Sequence, residues 1–305
     1  MKRRNFLKAC LIGGTTIALG KTNKGWAGGS FEGYPEAMGV LVDTTRCIGC
    51  RSCEAACNKE QKLPEPDTSF DDPSVLERER RPTAKAYTVV NRYQKDQPSG
   101  PVYRKVQCNH CNEPACLTSC FVNAYTKTKE GAVVYNSKVC VGCRNCMIAC
   151  PFNVPAYDYE SATNPVIKKC ILCYDTRLKY GRPPACVEIC PQEALTFGHR
   201  ADLIKIAHER IRATPDRYID HVYGEKEVGG TSWLYLARTD FDKLGFDTTL
   251  SNDPIISNVK DFLGMVPMVL SIWPALFSGI HLLCKHEEHG GDGHDAESNQ
   301  EDTKP

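Results

Sequence analysis

The run Cys140-Val-Gly-Cys143-Arg-Asn-Cys146-Met-Ile-Ala-Cys150-Pro151 constrains this chain more than any other stretch. Three cysteines at every third position let one tight loop present three thiolates to a single [4Fe–4S] cube. The fourth begins a turn that points away and reaches a neighbouring cube. One such run therefore implies a second cluster, and the sequence supplies three more cysteine groups. Cys47, Cys50, Cys53 and Cys57 repeat the spacing. Cys108, Cys111, Cys116 and Cys120 read Cys-x2-Cys-x4-Cys-x3-Cys. Cys170, Cys173, Cys186 and Cys190 read Cys-x2-Cys-x12-Cys-x3-Cys, followed by Pro191.

The chain has 18 Cys, and the four groups take all but Cys10 and Cys284. That leaves four thiolates for each of four cubes. Structural zinc wants four ligands on one tetrahedron, usually two Cys-x2-Cys knuckles brought together from a distance. A third cysteine three residues on, with a fourth beyond it, suits shared cubes better. Disulfides are opposed by the spacing, because cysteines two residues apart bridge only under strain. No Cys-x-x-Cys pair is followed by His, so a covalently attached haem is excluded.

Residues 1–27 read as an export signal. They have a basic start (Lys2, Arg3, Arg4, Lys8), an apolar run at 9–19 and small residues flanking Trp26. Arg3-Arg4-Asn5-Phe6-Leu7-Lys8 has the twin-arginine form. That route exports folded proteins, which suits cubes assembled on reduced thiols before the chain meets an oxidising compartment. Cys10 leaves with the signal.

At the other end, 262–284 is a stretch without formal charge, bounded by Asp261 and Lys285. It meets the length of one membrane crossing, about 20 apolar residues, although Pro267 and Pro274 lie inside it. His281 near its end reads as an interfacial anchor. The tail, 285–305, carries seven acidic residues against two Lys and reads as disordered. One crossing after an exported domain places the cluster domain in the periplasm, the span in the inner membrane and the tail in the cytoplasm. Lys285 favours that orientation. The formal charge of +1 balances a basic start against this acidic tail. Nothing forms the basic stripe of a nucleic-acid partner.

Between the ends, 39–43 reads as a strand entering the first cysteine loop. The Pro- and charge-rich 61–84 reads as a surface insertion. The β-rich 86–93 and 102–107 form a hairpin, and 194–198 closes the last cysteine unit as a strand. An amphipathic helix follows at 201–213, with Leu203, Ile204, Ala207 and Ile211 on one face and His208 solvated. A turn-rich loop at 223–230 leads to a strand at 233–237. The fold class is α+β: duplicated small hairpins and short helices around [4Fe–4S] clusters, plus one C-terminal transmembrane helix. The domain bounds are 1–27, 28–250 (with an insertion at 58–107), 251–284 and 285–305. Arg46, Arg51, Lys138, Arg144, Lys168 and Lys169 flank the cysteine runs. Each reads first as a solvated charge, and beside a cluster as a local offset to its negative charge.

Several stretches carry a family resemblance: Gln107-Cys-Asn-His-Cys111, 140–157 with Pro151-Phe-Asn-Val-Pro155, Cys186-Val-Glu-Ile-Cys190-Pro191, and 217–236 around His221-Val-Tyr-Gly-Glu-Lys. They resemble the four-cluster, ferredoxin-type subunits of membrane oxidoreductases, of the formate dehydrogenase β and dimethyl sulfoxide reductase B type. In particular the chain is similar to the HmcB branch of the high-molecular-mass cytochrome complex and the HybA branch of uptake hydrogenase. The resemblance covers nearly the whole chain. It departs from the ferredoxin run in lacking Pro after Cys57 and Cys120.

The resemblance implies how the cysteines are shared. One cube takes Cys47, Cys50, Cys53 and Cys190, and its mate takes Cys57, Cys170, Cys173 and Cys186. A third takes Cys108, Cys111, Cys116 and Cys150, and its mate takes Cys120, Cys140, Cys143 and Cys146. It also implies a polytopic, quinone-interacting NrfD-like membrane subunit as neighbour, and a periplasmic multihaem cytochrome c or hydrogenase. The expectation is a non-catalytic, one-electron relay. The alternatives are the iron–sulfur subunit of a molybdopterin oxidoreductase and, in a different class, a zinc-stabilised interaction module.

Overall fold

A computed structural model describes residues 34–93, 100–160 and 166–288, and within the last helix the side chains of 257, 266 and 269–282. The expected export signal at 1–27 and the tail beyond 288 lie outside the described residues. The chain enters through β1 (Met38–Asp43), leaves the first cysteine loop in α1 (Ser52–Glu60), and forms a hairpin from β2 (Val89–Tyr93) and β3 (Val102–Val106). The second cysteine group carries α2 (Ala115–Thr118), followed by β4 (Tyr125–Lys127) and β5 (Val133–Tyr135). The third carries α3 (Asn145–Ile148), followed by β6 (Ala156–Tyr157) and β7 (Ile167–Lys168). The fourth carries α4 (Ala185–Glu188). Then come β8 (Leu195–His199), α5 (Arg200–Ala213), β9 (Trp233–Leu236) and α6 (Ser257–Glu288). The mixed architecture of short helices and small hairpins is the one expected.

The floor of the structure is a three-stranded sheet of order β8-β1-β9, with β1 antiparallel to β8 and parallel to β9. Strand residues alternate between faces. Leu41 therefore points one way, and Val40 and Val42 the other. On the side of Leu41, α5 brings Leu203, Ala207 and Ile211, spaced four apart, against Leu234 and Leu236. On the opposite side Val40, Val42, Trp233 and Tyr235 pack with Leu172, Leu178, Cys186 and Leu195. Each such side chain contributes about 1.5–3 kcal/mol when fully buried, so the sheet is a firm base for the cysteine loops. Asp43 ends β1 with a buried carboxylate. It accepts from Tyr218 Oη at 2.7 Å, the Thr45 amide at 3.0 Å and Thr45 Oγ1 at 2.6 Å. These bonds tie the start of the first cysteine loop to the segment after α5.

The four short helices pair out of sequence order: α1 packs on α4, and α2 on α3. The second and third cysteine groups therefore form one unit, nested between the halves of the other. Each pair combines two kinds of helix start. α1 and α3 follow the left-handed Arg51 and Arg144, at φ 60° and 62°. α2 and α4 follow the extended Pro114 and Pro184. That correspondence is the structural mark of a duplication.

The insertion follows the surface, as expected, but it is not a free loop. Arg51, buried at the start of α1, donates through Nη1 to the carbonyls of Ser69, Phe70 and Asp72 at 2.9, 3.2 and 2.9 Å. Its Nη2 meets Glu54 Oε2 at 3.3 Å. Glu54 also accepts from Arg80 Nη2 at 2.6 Å, Arg80 Nη1 at 3.1 Å and the Val90 amide at 2.7 Å. One buried carboxylate thus joins α1, the insertion and β2. Of the flanking bases, Arg51 is committed to this network, and Lys168 to Asp158 at 3.1 Å.

The span expected at 262–284 falls inside α6. Among the described residues no helix is long and apolar enough to cross a membrane. The continuous described side chains, 269–282, are fewer than the about 20 that a crossing takes. Those that are described leave Leu270, Trp273, Phe277 and Leu282 exposed, with Trp273 and Phe277 stacked at 5.5 Å.

The Glu54 network gives the first prediction. Glu54→Ala leaves the buried Arg51 and the half-buried Arg80 without their carboxylate, and removing one partner of a buried pair costs about 3–5 kcal/mol. Denaturant unfolding followed by circular dichroism reads this. A change below about 1 kcal/mol would mean that the network is no stronger than a surface ion pair.

Candidate metal centres

Left-handed residues build each tight cysteine loop. Gly49 and Gly142, two residues after Cys47 and Cys140, have φ of 73° and 72°, and Leu172, two after Cys170, has 58°. The turn aims the amide of that residue at the sulfur. Gly142 N donates to Cys140 Sγ at 3.4 Å and Leu172 N to Cys170 Sγ at 3.4 Å. The Gly49 amide does the same for Cys47. Glycine at 49 is required twice over, since a Cβ there would also lie 2.4 Å from the Tyr103 ring. After Cys120, Cys150 and Cys190 a second left-handed residue recurs: Asn123, Asn153 and Glu193. Each donates its amide to the cysteine carbonyl three residues back, at 3.0, 3.1 and 3.2 Å. Each is followed by a buried anchor, Ala124, Val154 or Ala194.

All sixteen cysteines of the four groups are unbridged. Cys47, Cys50, Cys53 and Cys190 line one pocket with Val42, Val90, Leu195 and Lys105. Cys108, Cys111, Cys116 and Cys150 line a second with Val133, Phe152, Val154 and Lys169. The remaining thiols are electrostatic neighbours in the same manner. Cys57 senses Cys170, Cys186 and Cys173, and Cys146 senses Cys140, Cys120 and Cys143. Between sets, Cys53 neighbours Cys186, Cys170 neighbours Cys108, and Cys116 neighbours Cys146. Among the described residues no group of three or more His, Cys, Asp or Glu is arranged around a single metal ion.

The thiols suit a bound polycation. Burial, with smaller contributions from neighbouring thiols, pushes Cys47 and Cys150 up to about 11, and Cys116 and Cys170 up to about 12. Left alone, such thiols stay protonated at neutral pH, whereas iron bound as a cluster would hold them as thiolates. His110, in the loop between Cys108 and Cys111, accepts the Val133 amide on Nδ1 at 2.9 Å. Its buried Nε2 has no hydrogen-bond partner. It is an orphan donor, of the kind a cluster sulfur would satisfy.

Comparison with known proteins places the chain among iron–sulfur proteins. The 4Fe-4S dicluster domain family matches residues 101–200. The chain is 52% identical over 290 residues to a protein of Nitratidesulfovibrio vulgaris, covering 94% of this chain and 78% of that one. It is 32% identical over 330 residues to the hydrogenase-2 operon protein HybA of Escherichia coli O157:H7, covering 97% and 100%. It is 31% identical over 259 residues to the iron–sulfur subunit of the nitrate-inducible formate dehydrogenase of Escherichia coli K12, covering 81% and 84%. The chain belongs to the ferredoxin-type iron–sulfur electron-transfer subunits.

In this iron–sulfur subunit two lysines lie inside, among the thiols. Lys169, one of the bases noted in the sequence, is buried and donates to the carbonyls of Val133 at 2.5 Å and Cys170 at 3.0 Å. Lys105 was not singled out. It sits in a β-rich stretch where a lysine reads as the solvated member of an alternating pair. Only the pairing of Lys105 with Val90 across the β2-β3 hairpin turns it inward. His208, expected to be solvated, meets Glu225 at 2.8 Å at the surface.

Raised thiol pKa values oppose metal loading at low pH, because each ligand must lose its proton first. Reconstitution of the metal-free subunit with iron and sulfide is expected to release protons. It should become more complete as pH rises from about 6 to about 9, the thiols still lying above that window. Proton release counted with an indicator dye checks this. A loading equilibrium independent of pH would contradict it.

Proposed function

We propose that this subunit holds four [4Fe–4S] clusters and relays single electrons through them, doing no bond chemistry of its own. The ligand sets are the four gathered above: Cys47, Cys50, Cys53 and Cys190; Cys57, Cys170, Cys173 and Cys186; Cys108, Cys111, Cys116 and Cys150; Cys120, Cys140, Cys143 and Cys146. When bound, the clusters supply the one-electron redox chemistry, and the chain supplies their spacing, burial and charge. The observation that carries this reading is the neighbour order of the thiols. Cys53 with Cys186, Cys170 with Cys108, and Cys116 with Cys146 link the sets into an unbranched series. The two outermost sets are those with an exposed thiol, Cys50 and Cys143. Exposed apolar residues border both, Ile48 and Ile189 at one end, Phe121, Val141 and Ile148 at the other. These suit transient contact with redox partners.

The proposal extends to the setting of the relay. The twin-arginine form at the start favours export to the periplasm. The uncharged 262–284 and the exposed apolar side chains of α6 favour an inner-membrane anchor, with the tail in the cytoplasm. An anchored relay has a membrane-side partner, for which we propose a polytopic quinone-interacting subunit. For the periplasmic side we propose a hydrogenase or a multihaem cytochrome c. The likeness to HybA over its full length favours a hydrogenase, and the likeness to a formate dehydrogenase iron–sulfur subunit supports a molybdopterin enzyme as the second reading.

Elemental analysis of the anaerobically purified subunit is expected to find about sixteen iron and about sixteen acid-labile sulfide per chain. Zinc without sulfide would replace the relay by an interaction module. Gly49→Ala, which forces a side chain into the Tyr103 ring, is expected to remove about a quarter of the iron and spare the rest. Deleting 257–305 is expected to release the cluster domain from membranes without altering its iron content. Retention of the truncated form in washed membranes would argue against an anchor in α6.

A further inference from the structure

Lys105 is a charge in an unusual position. Its side chain is only 3% exposed. Nζ donates to Thr88 Oγ1 at 2.7 Å and Gln107 Oε1 at 3.1 Å, and lies 4.6 Å from the centre of the Trp233 ring. All three partners are neutral. Among the described residues no carboxylate forms an ion pair with it, in contrast to Arg51 and Arg80, which share Glu54. A buried ammonium without a counter-charge is costly, and a lysine so placed ordinarily gives up its proton. Here the negative charge comes from elsewhere. Lys105 lines the cavity of Cys47, Cys50, Cys53 and Cys190. It also lies within electrostatic reach of Cys57, Cys170 and Cys186, which belong to the adjacent set. Burial alone would favour the neutral amine, so an ammonium here calls for negative charge at these cysteines, which thiolate-bound clusters would supply.

We propose that Lys105 is a shared internal cation for the first two clusters, raising the reduction potential of both. The inference rests on the four-cluster reading. Each oxidised cube with its four thiolates bears about two negative charges, and reduction adds another. A fixed positive charge therefore favours the reduced state of each neighbour. Because one ammonium faces both sets, it also lessens the repulsion between two electrons held on adjacent clusters. Electrons would then settle more readily at this end of the series.

The test is a redox titration of the holo-subunit followed by electron paramagnetic resonance, comparing wild type with Lys105→Met and Lys105→Gln. Iron and sulfide are counted first on the wild type. A count short of four clusters rejects the parent reading independently of Lys105. With four present, two of the four midpoint potentials are expected to fall in the variants. For a tenfold loss in the one-electron reduction equilibrium the shift is about 59 mV. The other two potentials stay in place. Four unchanged potentials, or four that move together, would overturn the proposal. Should both variants lose clusters, Lys105→Arg decides. It keeps a positive charge at the same place, so four clusters with unmoved potentials are expected, and loss of clusters as in the other variants would overturn the proposal in favour of a packing role.

Discussion

Thiols packed beside one another in a protein interior cannot all be ionised, and the rest of this structure follows from that restriction. Burial is the leading cause of every raised thiol pKa, and neighbouring thiols reinforce it. Metal binding reverses the situation, because a cluster core is the cation that lets four thiolates coexist. The hydrophobic base of β8-β1-β9 under α5 is formed by the chain alone. The loops above it are held by short helices and by hairpins with strands of two to five residues, and their own apolar cluster, Ala124, Tyr125, Val133 and Ile167, is closed by the thiols of Cys116, Cys120 and Cys146. In the proposed holo-subunit, metal binding contributes much of the stability of that upper layer.

Two ways of burying a charge sit side by side in this protein. Glu54 is surrounded by donors from Arg51, Arg80 and the Val90 amide, and its network is complete within the polypeptide. It joins α1 to an insertion and a hairpin that would otherwise have little reason to stay. Lys105 and Lys169 are satisfied only by neutral acceptors. Their hydrogen bonds are made but their charge is unanswered by any carboxylate among the described residues. That difference separates a structural ion pair from a charge directed at the thiols.

Much of this was legible from spacing and periodicity. The cysteine groups, the strand at β1, the hairpin of β2 and β3 and the apolar stripe of α5 each follow from a local pattern, and local patterns survive folding. Tertiary placement was not legible. Arg51 looks like any base beside a cysteine run, and only its carbonyl partners at 69–72 show that it staples the insertion. Lys105 has the identity of a surface residue and the position of a core residue, which its neighbours in sequence do not reveal. Asp43 ends a strand as many aspartates do, yet it receives Tyr218 from 175 residues away. The pairing of α1 with α4 is likewise non-local, and the duplicated starts at Arg51 and Arg144 become a signal only when their backbone is seen.

The nested order has a consequence for the proposed relay and its four proposed ligand sets. When each cysteine run lends its last member to another set, neighbouring sets are joined through one short helix. Their separation is then fixed by covalent geometry, whatever side chains pack around them. Cys53 and Cys57 lie one turn apart on α1, and Cys186 and Cys190 one turn apart across α4. The two helices pack together, so the first two sets are connected twice. The same holds for α2 and α3 with Cys116, Cys120, Cys146 and Cys150. Between these two doubly joined pairs no such helix is shared; Cys170 neighbours Cys108 there, and Lys169 donates to the Cys170 carbonyl at that point. Distance is therefore rigid within each pair and more open to tuning between them. The middle of the series is where a change of sequence could alter electron flow without dismantling a cluster site.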